Sequence, residues 1–299
     1  MTFQEGGSFE GGRVRKRGRG AAVAGGGIGI AGIAVVLLSQ AFGVDLTPLL
    51  GVVGADSGTQ QVAGGTSQET TTGDCTAAQA NSDPACRLSA TVQSLDAFWE
   101  GQFGDQGEAM PQPGIVDFEA ATSTGCGQAS ASTGPFYCPP DQTIYIDLGF
   151  YDVLESQFGA TDGPLAEMYI TAHEYGHHIQ QITGVMDSAD RQGSGADSDS
   201  VRVELQADCY AGLWAGHAAT TVDPDTGVTF LQPITKAELA NALSAAAAVG
   251  DDHIQEASGG GVDPEAWTHG SSAQREKWFT IGYEQGTAGS CDTFSATSL

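Results

Sequence analysis

Apolar positions along the chain recur in two rhythms. In "CRLSATVQSLDAFWEGQF", Leu88, Val92, Leu95, Phe98 and Trp99 fall three and four apart, the stripe of a helix with one buried face. "TIYIDL", Thr143 to Leu148, alternates and is rich in β-branched residues, so it reads as a strand. Helical stretches follow over Pro164 to Thr183, closed by Gly184, and over "VRVELQADCYAGLWAGHA". "KAELANALSAAAAVGDDHI" is a third, opened by Thr235 with Glu238 three residues on as a capping box. "SSAQREKWFTIGYEQG" supplies the last. Few strands among several helices predict an α+β domain, mostly helical with a small sheet, over residues 86–299.

The pattern changes upstream. "AAVAGGGIGIAGIAVVLL", Ala21 to Leu38, has no charged side chain, and eighteen helical residues span about 27 Å, close to the apolar thickness of a bilayer. Arg13, Arg15, Lys16, Arg17 and Arg19 precede it, and acidic residues dominate after it. The expectation is a basic cytoplasmic tail over 1–20, one transmembrane helix within 21–44, a disordered linker over 45–85, and the folded domain. That makes a single-pass cell-membrane protein with an extracytoplasmic domain. Ser39-Gln40-Ala41 offers the alternative of signal cleavage and secretion. Gly25 and Gly29 form a GxxxG pair that would support a homo-oligomer through the anchor.

Net charge is −26 over 299 residues, and so acidic a surface repels phosphate backbones, which argues against nucleic acid as a partner. The six cysteines all lie on the expected exported side, where an even count suits disulfides. Short loops favour Cys75–Cys86 and Cys126–Cys138, which leaves Cys209–Cys291 to tie the tail to the core.

Chemistry concentrates in "TAHEYGHHIQ", which holds three of the six histidines. Helix positions four apart lie about 40° apart around the axis, so His173 and His177 project side by side. Glu174 is turned about 100° from His173, placed to reach a metal-bound water without becoming a ligand. This is the HExxH arrangement of a catalytic Zn2+ site with a glutamate base. A metzincin would need glycine and histidine where Gln180 and Thr183 stand. The third ligand expected instead is Glu204, with Asp208 four residues on to orient a ligand histidine. His269 and Arg275 are candidates to stabilise an oxyanion, with Tyr175 and Tyr210 as competitors. His178 reads as a packing residue, and His217 and His253 as structural or exposed.

"GPFYCPPDQTIYIDLGFYDVL", "AHEYGHHIQ", "SVRVELQADCYAGLWAGH" and "THGSSAQREKWFTIGYEQG", with "FGVDLTPLL", "TGCG" and the final "CDTF", resemble the bacterial putative neutral zinc metallopeptidase family. The resemblance implies a zincin-like, gluzincin-type peptidase domain holding one Zn2+ on His173, His177 and Glu204, with Glu174 as base. More distantly the chain resembles membrane zinc endopeptidases with a C-terminal His…Arg segment, although Gly270 stands where those enzymes often have proline. The activity expected is hydrolysis of a peptide or protein substrate, with "TIYIDL" as an edge strand along which an extended substrate pairs. The alternatives are a surface binding module with a structural or lost metal, and a zinc amidase acting on cell-wall material.

Overall fold

A computed structural model describes residues 3–18, 69–161, 163–259 and 261–299. Its strands are β1 (Ser8–Phe9), β2 (Arg15–Arg17), β3 (Glu69–Thr71), β4 (Cys75–Thr76), β5 (Gly114–Phe118), β6 (Ala121–Thr124), β7 (Gly127–Ser130), β8 (Phe136–Cys138) and β9 (Thr143–Ile146). Five of them form one mixed sheet in the order β3-β2-β5-β9-β8, with β2, β5 and β9 parallel and the outer pairs antiparallel. All four residues of β9 are buried, because the strand is covered on both faces. Ile144 and Ile146 face the main core, while Tyr145 joins Val116, Phe118 and Cys138 in a small cluster on the other side.

The helices are α1 (Ala77–Ala80), α2 (Pro84–Gly104), α3 (Phe150–Phe158), α4 (Pro164–Ile182), α5 (Val185–Ser188), α6 (Asp199–His217), α7 (Lys236–Ala248), α8 (Asp251–Ala257) and α9 (Ser272–Gln285). α4 lies at the centre, packed on β8 and β9 and against α2, α6 and α7. α6 and α9 approach so closely that a Cβ on Gly282 would strike the Cys209 carbonyl. Disulfides close in the three expected pairs, and Cys209–Cys291 ties the C-terminal tail to α6.

Several expectations need correction. The basic tail over 1–20 contributes strands: β1 pairs with β4, and β2 sits between β3 and β5. Phe3, Phe9 and Val14 are buried, and Arg13 binds the Asp96 carboxylate at 2.7 Å. Counting charges hid these apolar positions and the acid that Arg13 meets on α2.

The transmembrane helix of the expected fold class, and with it the single-pass cell-membrane localisation, is overturned. Among the described residues no helix is long and apolar enough to cross a membrane. Chain from before the apolar run and chain from after it also hydrogen-bond within one sheet, so they cannot lie on opposite sides of a bilayer. What stands is a domain of mixed helix and sheet with disulfides. Residues 21–44, with Gly25 and Gly29, and linker residues 45–68 lie outside the described residues. Residues 69–85, expected as linker, form β3, β4, α1 and the start of α2.

β9 is not an edge strand, since β5 and β8 flank it; the edges are β3 and β8. The helix read from Lys236 into "GDDHI" breaks between α7 and α8. The break lets Asp251 accept hydrogen bonds from the backbone N–H groups of Thr268, His269 and Gly270.

Candidate metal centre

α4 begins with Pro164 at its first turn, where a missing N–H costs nothing, and its histidines fall midway along it. Gly176 faces α6, where a Cβ would lie 3.1 Å from the Ala207 backbone. That close approach brings Glu204 to the two imidazoles. His173 Nε2 lies 3.2 Å from Glu204 Oε2, and His177 Nε2 lies 3.5 Å from Glu204 Oε1. The three side chains each offer a donor atom within 4.8 Å of the others, an array sized for one metal ion.

Both Nδ1 atoms are engaged behind the array, which leaves both Nε2 atoms to face it. His173 Nδ1 meets Asp208 Oδ1 at 2.7 Å. Asp208 is fully buried and also accepts from the Tyr169 hydroxyl at 2.6 Å and from Arg275 Nε at 2.8 Å. His177 Nδ1 meets Gln180 Oε1 at 2.8 Å.

The charges follow from these contacts. Burial works against ionisation of Asp208, but Arg275 and His173 outweigh it and hold the carboxyl below the usual range. Burial likewise opposes charge on His173, yet Asp208 and Glu204 push it up to about 10. Burial would lift Glu204, and the two imidazoles hold it well down. A buried carboxylate facing two imidazoles is held ready for a cation.

His173, His177 and Glu204 line a cavity of about 610 Å³, together with Glu174, His269, Phe136 and Tyr137. Glu174 is 8% exposed, lines the cavity, and among the described residues its carboxylate has no hydrogen bond or ion pair. His269 sits at the same cavity with Nδ1 3.2 Å from Asp251 Oδ1. Burial lowers its tendency to charge, and Asp251 reverses this and raises it. Gly270 has φ +88°, so proline cannot occupy that position.

Of the other candidates, Arg275 reaches the cavity wall, but Asp208, Tyr169 and the Val249 carbonyl occupy its guanidinium. Tyr175 is fully buried and donates to Asp96, away from the cavity. Tyr210 packs edge-on to Trp99 and does not line the cavity. His178 bridges the Pro111 carbonyl and the Tyr137 hydroxyl as a packing residue. His217 and His253 bind the Leu213 and Phe158 carbonyls. Sequence reasoning missed Tyr169, Gln180 and Asp251. The first two carried a signal, lying four residues before His173 and three after His177 on the same helix face.

A family model described as putative neutral zinc metallopeptidase matches residues 4–294. An uncharacterized protein of Mycobacterium tuberculosis is 50% identical over 224 residues, 75% of each chain. The uncharacterized protein YpfJ of Escherichia coli is 38% identical over 266 residues, 87% of this chain and 84% of its own. No solved structure matches the chain.

Proposed function

The chain belongs to the putative neutral zinc metallopeptidase family, and on that premise we propose that it is a zinc-dependent endopeptidase acting on peptide or protein substrates. His173 and His177 through Nε2, and Glu204 through its carboxylate, would hold the ion; two imidazoles and one carboxylate suit zinc and leave a fourth position open. Zinc bound there supplies a Lewis acid that acidifies water and polarises the scissile carbonyl.

The chain's own groups do the rest. Glu174 takes the proton of the attacking water at a carboxylate oxygen, then hands it to the leaving amine nitrogen. Asp251 favours the imidazolium form of His269, in which Nε2 carries a proton and is left without a protein partner among the described residues. That N–H stabilises the carbonyl oxygen as negative charge builds on it. β8 replaces β9 as the strand offered to substrate. One edge of β8 is bound to β9, while Phe136 and Tyr137 border the cavity, so an extended peptide would add along the other edge.

The observation that carries the reading is the Glu174 carboxylate, without a partner among the described residues, in the cavity that His173, His177 and Glu204 also line. A structural metal has no use for a base there. The test is casein hydrolysis by the Glu174→Gln variant of the full chain. Retained zinc with loss of cleavage supports the proposal, and unchanged cleavage removes Glu174 from it.

A further inference from the structure

The second imidazole is held by a relay that runs through two buried amides to the C-terminal tail. Gln180 is fully buried and Gln206 is 6% exposed. Gln180 Nε2 lies 2.7 Å from the Val203 carbonyl and 3.0 Å from Gln206 Oε1. Gln206 Nε2 lies 3.0 Å from the Cys291 carbonyl.

The polarity of this chain can be worked out from its far end. A backbone carbonyl only accepts, so the Gln206 atom facing Cys291 is the NH2 group, and its oxygen faces Gln180. Gln180 therefore turns its own NH2 toward Gln206 and toward Val203, a second acceptor. Its oxygen is left to His177, at 2.8 Å. Facing an acceptor, His177 Nδ1 must carry the ring proton, and the Nε2 lone pair points into the three-ligand array. Every link agrees in direction. A reversed Gln180 amide would set oxygen against oxygen twice, and its NH2 would call for the other His177 tautomer, with Nε2–H facing the ligand array.

Position matters as much as polarity. Val203 precedes Glu204 on α6, so Gln180 grips the turn that carries the third ligand while it holds the second. Cys291 is joined by a disulfide to Cys209, also on α6, so the acceptor at the far end is fixed to the same helix.

We propose that Gln180 is a positioning residue that fixes the His177 tautomer and its spacing from Glu204, and that Gln206 and the Cys209–Cys291 tail clip hold Gln180 in that role. The inference rests on the metal centre proposed above but not on peptide cleavage. A glutamine that merely satisfies the core would affect folding and leave metal affinity alone.

The experiment is competition between a chromogenic chelator and the full-length protein for zinc, for wild type, Gln180→Met and Gln206→Met. Far-UV circular dichroism and the unfolding midpoint of each metal-free protein are read alongside. Loss of such an outer partner typically weakens metal binding about 10–100-fold, and that is expected for Gln180→Met, with a smaller loss for Gln206→Met. Unchanged zinc affinity in folded Gln180→Met overturns the proposal. If Gln180→Met does not fold, Gln206→Met decides: weaker zinc binding sustains the relay and unaltered binding overturns it. A wild type that binds zinc but cleaves no peptide removes the peptidase and leaves this inference standing. A wild type that binds no zinc removes both.

Discussion

The Asp208 carboxylate takes His173 Nδ1 at 2.7 Å on the oxygen that also accepts the Tyr169 hydroxyl at 2.6 Å, and Arg275 reaches both of its oxygens at 2.8 and 3.0 Å. Asp208 and Arg275 are both buried, so neither charge is tolerable without the other. Breaking this pair should cost about 3–5 kcal/mol of stability. Urea denaturation of Asp208→Ala and Arg275→Met checks the figure. The Asp208 variant should also lose zinc affinity, because His173 then has no fixed tautomer.

Gly176→Ala tests the helix contact that assembles the array. Its new Cβ would lie 3.1 Å from the Ala207 backbone, which cannot yield as a side chain can. Overpacking of this kind costs about 1–3 kcal/mol. Zinc binding should weaken as α4 and α6 part, in the same chelator assay.

The Cys209–Cys291 link spans a separation of 82 residues, so its entropic contribution is about 4.5 kcal/mol. A Cys209→Ala/Cys291→Ala double variant should lose about that much in denaturant. It should also bind zinc more weakly, since Gln206 loses a fixed acceptor.

Asp251 and His269 give a pH signature. Burial opposes charge on each, but their mutual contact lowers the Asp251 pKa and raises that of His269. The Asp251 contribution is present above its unfolded pKa and lost as pH falls through the depressed folded value. The His269 contribution is present below its unfolded pKa and lost as pH rises through the raised folded value. In metal-free protein, the destabilisation by Asp251→Asn should therefore peak between about pH 4 and 6.5. Denaturant midpoints across pH read this out, and a gap that widens on the alkaline side contradicts the pairing.

The N-terminal segment should matter to folding. Asp96 accepts from both Arg13 and the buried Tyr175, so Arg13→Ala leaves a buried carboxylate short of its counter-charge. A loss of about 3 kcal/mol is expected, measurable by thermal unfolding. No change would mean that the Arg13–Asp96 contact contributes nothing to stability.

How much of the fold and the site is legible in the sequence depends on how local each signal is. Helix periodicity alone puts His173 beside His177, and Glu204 and Asp208 share a face by the same rule, but that the two faces meet depends on the close packing of α4 on α6 at Gly176. Asp251 is not identifiable in this way, because it reaches His269 only through the break between α7 and α8. The place of β2 inside the sheet is hidden for a different reason. Its three residues are Arg15, Lys16 and Arg17, and its partners β3 and β5 are far along the chain. A strand so short and so charged shows no alternation, and its basic residues read as a topogenic signal. β9 is recognisable as a strand, but whether a strand is an edge depends on its neighbours and not on its own residues.

Both the proposed activity and the Gln180 relay depend first on a metal held by His173, His177 and Glu204. Metal analysis of the purified full chain, wild type against Glu204→Ala, tests this directly. The prediction is one zinc ion per wild-type chain and a loss of tightly held zinc in the variant, with the metal-free folds alike. Zinc retained at full stoichiometry and affinity without Glu204, or absent from a wild type offered excess zinc, would contradict it.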